Sequence, residues 1–214
     1  MKKVLIITGY TNHSNQQDLM ATWRSALADT VSKVSDDLVV DATAYFDKDA
    51  TGFSFSMNHG LAKAIAGDYD YCILLGNDGV PLRDDWVEKL IKAHEDTDAW
   101  IVCPTADNPP HSVYNHKKIV QKGPYTQYHM YPAICWLLPR KTILEIGFFD
   151  ERFKGGCYED DDYCLRVEKA GGTIVRTDNV MLHHKLSQTI GNMNVHELMS
   201  RNSAVYAAKW ETVK

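Results

Sequence analysis

A short unbroken apolar run, Val4-Leu5-Ile6-Ile7, stopped by Thr8-Gly9, leads into a helical pattern and then a second strand pattern. That order is the feature that most constrains the fold. An apolar run without alternation reads as a strand buried on both faces, as in a parallel sheet. Over residues 18–32, Leu19, Trp23, Leu27 and Val31 recur at offsets of four, which predicts a helix. Residues 38–46 alternate, are rich in Val, Thr, Tyr and Phe, and end at Asp47-Lys48-Asp49. Two strands joined by a helix predict a parallel pair and an α/β fold. Ligands then collect outside the carboxyl ends of the strands, so Thr8 to Asn12 and Asp47 to Asp49 are expected at one rim. Residues 12–15 read as a polar loop.

The remaining chain continues the alternation. Ser56-Met57-Asn58-His59-Gly60 starts a second helix with Leu61, Ala64 and Ile65 on its apolar face. Residues 69–75 read as a third strand, broken by Gly76-Asn77-Asp78-Gly79-Val80-Pro81. Asp84-Asp85 is expected to cap a helix carrying Trp86, Leu90, Ile91 and His94 at core spacing. A fourth strand, 99–103, stops at Pro104. Residues 105–127 form a long polar connection, and long connections in compact domains are frequently functional. Tyr125, Tyr128, His129 and Tyr131 near its end suit stacking on a sugar or base, and equally suit an ordinary amphipathic hairpin. A strand at 133–138, a short helix at 139–146, short strands at 173–176 and 179–182, and a terminal helix at 195–210 complete the reading. Neither a repeat nor a linker interrupts residues 1–214, so one domain is expected.

Composition removes several classes. With 44% hydrophobic and 24% charged residues, the chain has the make-up of a globular protein with a real core. A net charge of −5 argues against a generally basic nucleic-acid binder. Five cysteines without a CxxC pair fit reduced thiols, hence a cytoplasmic protein. Met1-Lys2-Lys3 precedes only four apolar residues, too few for a signal peptide, and no run approaches the roughly 20 needed to span a bilayer.

Chemistry is expected at three places. Residues 147–166 set a glycine turn and an aromatic run before Glu159-Asp160-Asp161-Asp162, at the start of a helix whose stripe contains Tyr163, Cys164, Val167 and Ala170. Asp160 belongs to that inward stripe and can be aimed into a cleft, whereas Asp162 shares a face with Arg166 and Lys169 and is expected to look at water. Acids in a first helical turn also simply complement the helix dipole. Asp78, just past a strand, is where a carboxylate meets a metal-bound phosphate, although Asn-Asp-Gly is also good turn chemistry. His183-His184 ends a strand; neutral imidazole suits Mn and similar divalent ions, while a histidine is more often structural.

Four blocks together resemble the family 2 glycosyltransferases with the GT-A fold, especially compact bacterial and phage-type members. Phe53 through Gly60 is similar to the run leading to that family's Asn-x-Gly helix start. Tyr71 through Pro81 resembles the strand and turn carrying its metal motif. Gly147-Phe148-Phe149-Asp150-Glu151-Arg152-Phe153 with Tyr158 through Arg166 resembles its Gly-x-Phe-Asp-Glu-x-Phe and Glu-Asp-x-Asp blocks, and His183 through Ser187 its late histidine motif. The resemblance implies a Rossmann-like α/β domain with a central, mostly parallel mixed sheet flanked by helices. Residues 1–104 would be the nucleotide-sugar half, 105–190 the acceptor and catalytic half, and 191–214 a C-terminal helix.

It also implies inverting, metal-dependent transfer of a sugar from a nucleotide-diphosphate donor to a hydroxyl on a glycan, a protein or a modified nucleic-acid base. By that likeness Asp160 is the base, with Glu159 beside it. Asp78 with His183 or His184 would hold Mn2+ or Mg2+. Thr8, Tyr10, Asp47, Asn58, Asn77 and Asp78 would receive the donor, and Trp136, Glu159 and Asp161 the acceptor. Gly76 stands where the family's metal motif has its first acid or amide, Tyr10-Thr11-Asn12 replaces its usual first-strand ending, and Asp47 is the positional substitute for its base-contacting aspartate. Two other classes compete. A nucleotidyltransferase or pyrophosphorylase would carry a glycine-rich basic phosphate loop, but residues 8–15 hold one glycine and no Lys or Arg. A non-catalytic module would use residues 158–162 only to chelate Ca.

Overall fold

The apolar run at the N-terminus becomes an interior strand of a nine-stranded sheet, one place in from its edge. The computed structural model of the protein describes residues 1–11, 16–108, 118–185 and 194–210. The polar loop expected at 12–15, residues 109–117 of the long connection, and Leu186 and Ser187 of the histidine block lie outside them, as do the side chains of Leu19 and Ser32 in the first helix.

In chain order the elements are β1 (Lys2–Tyr10), α1 (Gln16–Lys33), β2 (Leu38–Phe46), α2 (Phe53–Ala66), β3 (Tyr71–Leu75), β4 (Gly79–Pro81), α3 (Trp86–Thr97), β5 (Ile101–Ala106), β6 (Lys118–Lys122), β7 (Tyr125–Tyr128), β8 (Cys135–Pro139), α4 (Arg140–Ile146), α5 (Glu159–Lys169), β9 (Ile174–His184) and α6 (Val195–Trp210). The strand order is β2-β1-β3-β8-β5-β9-β7-β6, with β4 added to β9. The longest pairings, β1–β2 and β5–β9, are parallel, as is β1–β3, while β8 runs antiparallel between β3 and β5.

Alternate residues of β1 feed two cores, as a period of two requires. Val4 and Ile6 pack with Trp23 and Leu27 of α1 and Trp86 and Leu90 of α3. Leu5 and Ile7 pack with Leu61 of α2, Trp136 of β8, Phe149, and Tyr163 of α5. Gly60 explains how α2 sits so close to the sheet: a Cβ there would lie 2.3 Å from Ile7 Cδ1. The Asn-x-Gly element is thus partly a packing device.

Several boundaries differ from the sequence reading. Residues 79–81, expected in a turn, form β4 and pair with the end of β9. The two short strands expected at 173–176 and 179–182 are one strand, because β9 bulges where its partner passes from Pro104 to Thr105. Pro104 accordingly does not end β5. The start of the long connection extends β5 to Ala106, and from Lys118 it forms the β6–β7 hairpin. Asp85 stands at the N-cap position of α3, but its carboxylate pairs with Arg83 and makes no cap. None of the described helices is long and apolar enough to cross a membrane, and all five cysteines are free thiols.

Candidate active site

The carboxyl end of β3 and the end of β9 are stitched together by backbone. Gly79 is opposite His184 in the ladder, and the Lys185 N–H donates to the Asp78 carbonyl at 2.9 Å. Successive strand residues face opposite ways, and the two histidines separate accordingly. His184 is buried, with Nε2 3.4 Å from Oδ2 of Asp78 and Nδ1 3.0 Å from the Asn108 carbonyl. His183 is half-buried and sits against the carboxylate of Asp107 at 2.7 Å. Of the two histidines expected as metal ligands, only His184 is brought to Asp78.

A carbonyl accepts only, so Nδ1 of His184 carries the proton. In the neutral ring, Nε2 therefore turns a lone pair towards a carboxylate, an arrangement that calls for a proton or a cation between them. Burial pushes the His184 imidazole down, but the Asp78 carboxylate, the Asn108 carbonyl and the Asp107 charge together outweigh it and the net shift is upward. One carboxylate and one imidazole suit Mn2+ or Mg2+ as a partial donor set, the rest being supplied by phosphate oxygens and water. Among the described residues no group of three or more His, Cys, Asp or Glu is arranged around a metal position. Gly76 fits this geometry: a Cβ there would stand 2.9 Å from Asp78 Oδ1 and 3.3 Å from the Ile134 carbonyl. The space that a side chain at 76 would enter already holds the Asp78 carboxylate.

From that turn the backbone leads directly to α5. The Gly76 N–H donates to the Ile134 carbonyl at 2.8 Å, and the adjacent Ala133 N–H points at Oδ2 of Asp160 at 3.4 Å. The Asp161 N–H donates to the other oxygen of Asp160 at 3.0 Å. A single dipeptide, Ala133-Ile134, thus lies between the Asp78 turn and the Asp160 carboxylate.

The four acids of α5 divide by environment. Asp160 keeps part of its surface open; burial raises its pKa, and the N–H groups of Asp161 and Ala133 partly offset this. Glu159 is buried with Oε2 unpartnered, and burial together with the Asp160 charge holds its carboxyl well above the usual range. Burial, then the Asp160 charge, pushes Asp161 up to about 7. Asp162, expected to face water, is instead fully buried. It accepts from Arg166 at 3.0 Å, from Lys209 at 2.7 Å and from the Trp210 indole at 3.0 Å. Helical spacing alone did not reveal this, because α6 covers the face that α5 would otherwise show to solvent.

At the neighbouring rim, Asp47 is buried; Oδ2 accepts the Gly52 N–H at 2.8 Å and Oδ1 has no partner. Thr8 Oγ1 and Ser54 Oγ are likewise buried and unpartnered. Tyr10 packs against Phe46 with ring centres 5.2 Å apart, and the Asn77 amide donates to the Gly9 carbonyl at 3.2 Å. Buried polar atoms without partners are unusual and mark places where a ligand can supply the missing bond. Ser54, in the first turn of α2, was not foreseen from the sequence.

Two expected site residues have other work. The Asn58 amide accepts from the Phe149 N–H at 2.8 Å and donates to the Phe149 carbonyl at 3.0 Å and to Glu151 at 2.9 Å. Both of its N–H donors are taken and its oxygen accepts from Phe149, so it braces α2 to the 147–153 segment. Trp136, expected at the acceptor, is completely buried, with its indole N–H on the Pro132 carbonyl at 3.0 Å and its ring against Phe149 and Tyr163.

The sequence matches no protein-family model, and no curated protein matches it. Solved structures do. The crystal structure of GalNAc-T7 with UDP, GalNAc and Mn2+ aligns with a TM-score of 0.64 at 10% identity, covering 86% of this chain and 44% of that one. The catalytic domain of Drosophila beta1,4galactosyltransferase 7, in complex with xylobiose, aligns with a TM-score of 0.60 at 14% identity, covering 84% and 66%. The fold is that of the GT-A glycosyltransferases. A197 from STIV aligns over 87% of both chains with a TM-score of 0.52 at 13% identity. The chain spans less than two thirds of the length of the first two proteins, and at these identities the likeness carries the fold alone.

Proposed function

We propose that this GT-A protein is an inverting, metal-dependent glycosyltransferase of the compact family 2 type. It transfers a sugar from a nucleotide-diphosphate donor to a hydroxyl acceptor in the cytoplasm. The observation that carries this reading is the Ala133-Ile134 dipeptide, which ties the Asp78–His184 pair to Asp160 through two backbone contacts. A carboxylate–imidazole pair suited to a diphosphate-bound cation and a carboxylate of raised pKa are thereby held around one short segment.

In this reading the donor lies along the β1 and β3 ends. Asp47 Oδ1 accepts an N–H from the base, and Thr8, Tyr10 and Asn77 flank the nucleotide. A divalent cation bound by Asp78 and His184 would neutralise the departing diphosphate as a Lewis acid. Asp160 takes the proton of the acceptor hydroxyl as that oxygen bonds to the anomeric carbon, and the bond from that carbon to the diphosphate oxygen breaks, its electron pair leaving with the nucleotide. A carboxylate whose pKa is raised by burial is a better base for this step than one in water. Glu159 and Asp161 flank the acceptor side. The donor half is residues 1–104 and the acceptor half 105–190.

UDP-sugars are the donors to test first, since one structural neighbour was crystallised with UDP, GalNAc and Mn2+. Incubation of the protein with a panel of nucleotide sugars and Mn2+ should release nucleoside diphosphate from at least one donor. Thermal stabilisation by the same donor should depend on the metal. A panel that yields neither release nor stabilisation rejects the reading.

A further inference from the structure

Just before α5 the backbone does something unusual. Residues 155–158 take four successive positive φ angles: 80° at Gly155, 140° at Gly156, 69° at Cys157 and 71° at Tyr158. Glycine adopts such angles freely, but Cys and Tyr adopt them only under backbone strain. A strained turn of this kind persists only where its surroundings enforce it.

The surroundings that enforce it come from the far end of the chain. Asn202 of α6 is completely buried, and its Nδ2 lies 2.6 Å from the Gly156 carbonyl, 3.0 Å from that of Cys157 and 3.1 Å from that of Lys154. Left-handed residues in series turn successive carbonyls towards one side, and the amide fills the concavity they make. The Arg201 guanidinium adds a bond to the Lys154 carbonyl. On the opposite side the Gly155 N–H donates to Thr51 at 3.0 Å, and Gly52 packs so closely that a Cβ there would be 2.4 Å from the Gly155 nitrogen. Tyr158 is the N-cap residue of α5, so the turn sets where the helix begins and where Glu159 and Asp160 point.

We infer that Asn202 is a positioning residue for the site: its amide locks the 155–158 turn in left-handed form and so fixes Glu159 and Asp160 in place. Asn202 touches neither carboxylate and acts through the turn. The link to turnover rests on the transferase reading; the link to carboxylate placement does not. Position 202 lies one helical turn after the buried Leu198, so a polar residue at core spacing was visible in the sequence of α6.

The test compares Asn202→Ala with Leu198→Ala, which removes a buried apolar side chain of α6 and leaves the Asn202 amide in place. Carboxyl-13C NMR titration of the full chain should show Glu159 and Asp160 protonating above the ordinary carboxylate range in the wild type and in Leu198→Ala. In Asn202→Ala they should move back towards that range. With an active donor, Asn202→Ala should lower kcat by roughly 10-fold to 100-fold at unchanged donor KM, as misplaced catalytic groups do, and Leu198→Ala should not. If Asn202→Ala does not fold, it is made in a Cys157→Gly background, where the turn needs less enforcement and the protein should recover. Titrations unchanged by Asn202→Ala, or moved equally by Leu198→Ala, overturn the inference, as does an Asn202→Ala defect that Cys157→Gly does not relieve. A wild type that turns over no donor rejects the transferase reading while the titrations still decide the positioning role.

Discussion

Nε2 of His184 faces Oδ2 of Asp78 at 3.4 Å while its Nδ1 faces the carbonyl of Asn108 at 3.0 Å. The carbonyl fixes the tautomer, and the tautomer leaves a lone pair on the nitrogen nearest the carboxylate. The pair is therefore built around a positive charge.

Replacing His184 with Gln should weaken Mn2+ binding by about tenfold or more, equivalent to about 1.4 kcal/mol. His183→Gln should leave it nearly unchanged, since His183 faces Asp107. Titration of Mn2+ by electron paramagnetic resonance in the presence of nucleoside diphosphate separates the two, and equal losses would refute the assignment of His184.

Asn58 predicts a stability effect instead of a binding effect. Asn58→Ala leaves the buried N–H and carbonyl of Phe149 without partners, a cost of about 2–3 kcal/mol. Denaturant unfolding should register that loss, while nucleotide affinity measured below the unfolding transition stays within about twofold. A large loss of affinity at unchanged stability would return Asn58 to the donor site.

Asp161 predicts a pH dependence. Its folded pKa of about 7 lies above that of an unfolded carboxylate, about 4. The folded state holds the proton more tightly, so the favourable contribution is fully present below pH 4 and is lost as pH rises through 7. Asp161→Asn should therefore raise Tm more at pH 8 than at pH 5. A variant whose Tm gain is the same at both pH values would show that Asp161 is not held neutral by burial.

How much of this was legible in the sequence depends on the range over which each feature is determined. The buried run Val4 to Ile7, the stripe of Tyr163, Cys164 and Val167, and α6 at 195–210 are set by neighbours a few residues away, and periodicity found them. Asn58 acts on Phe149 across 91 residues, and Trp210 reaches Asp162 across 48. No local pattern contains those partners. Asp162 looked solvent-facing because helical spacing assigns a face but not what covers it. The resemblance put Trp136 at the acceptor, but an aromatic residue fits a core as well as a binding surface, and its partners Phe149 and Tyr163 are not local in the sequence. The histidine pair was legible as a pair; the alternation of β9 and its register with β4 select His184.

In the proposed transfer Asp160 accepts the proton while Asp78 and His184 serve the diphosphate. The most direct measurement is nucleotide release from the active donor, in parallel with donor binding, for wild type and Asp160→Asn with Mn2+ and acceptor present. The predicted result is a loss of transfer of on the order of 100-fold to 10,000-fold, the range of a general base, with donor affinity within about threefold of wild type. An Asp160→Asn protein that transfers sugar at the wild-type rate would contradict it.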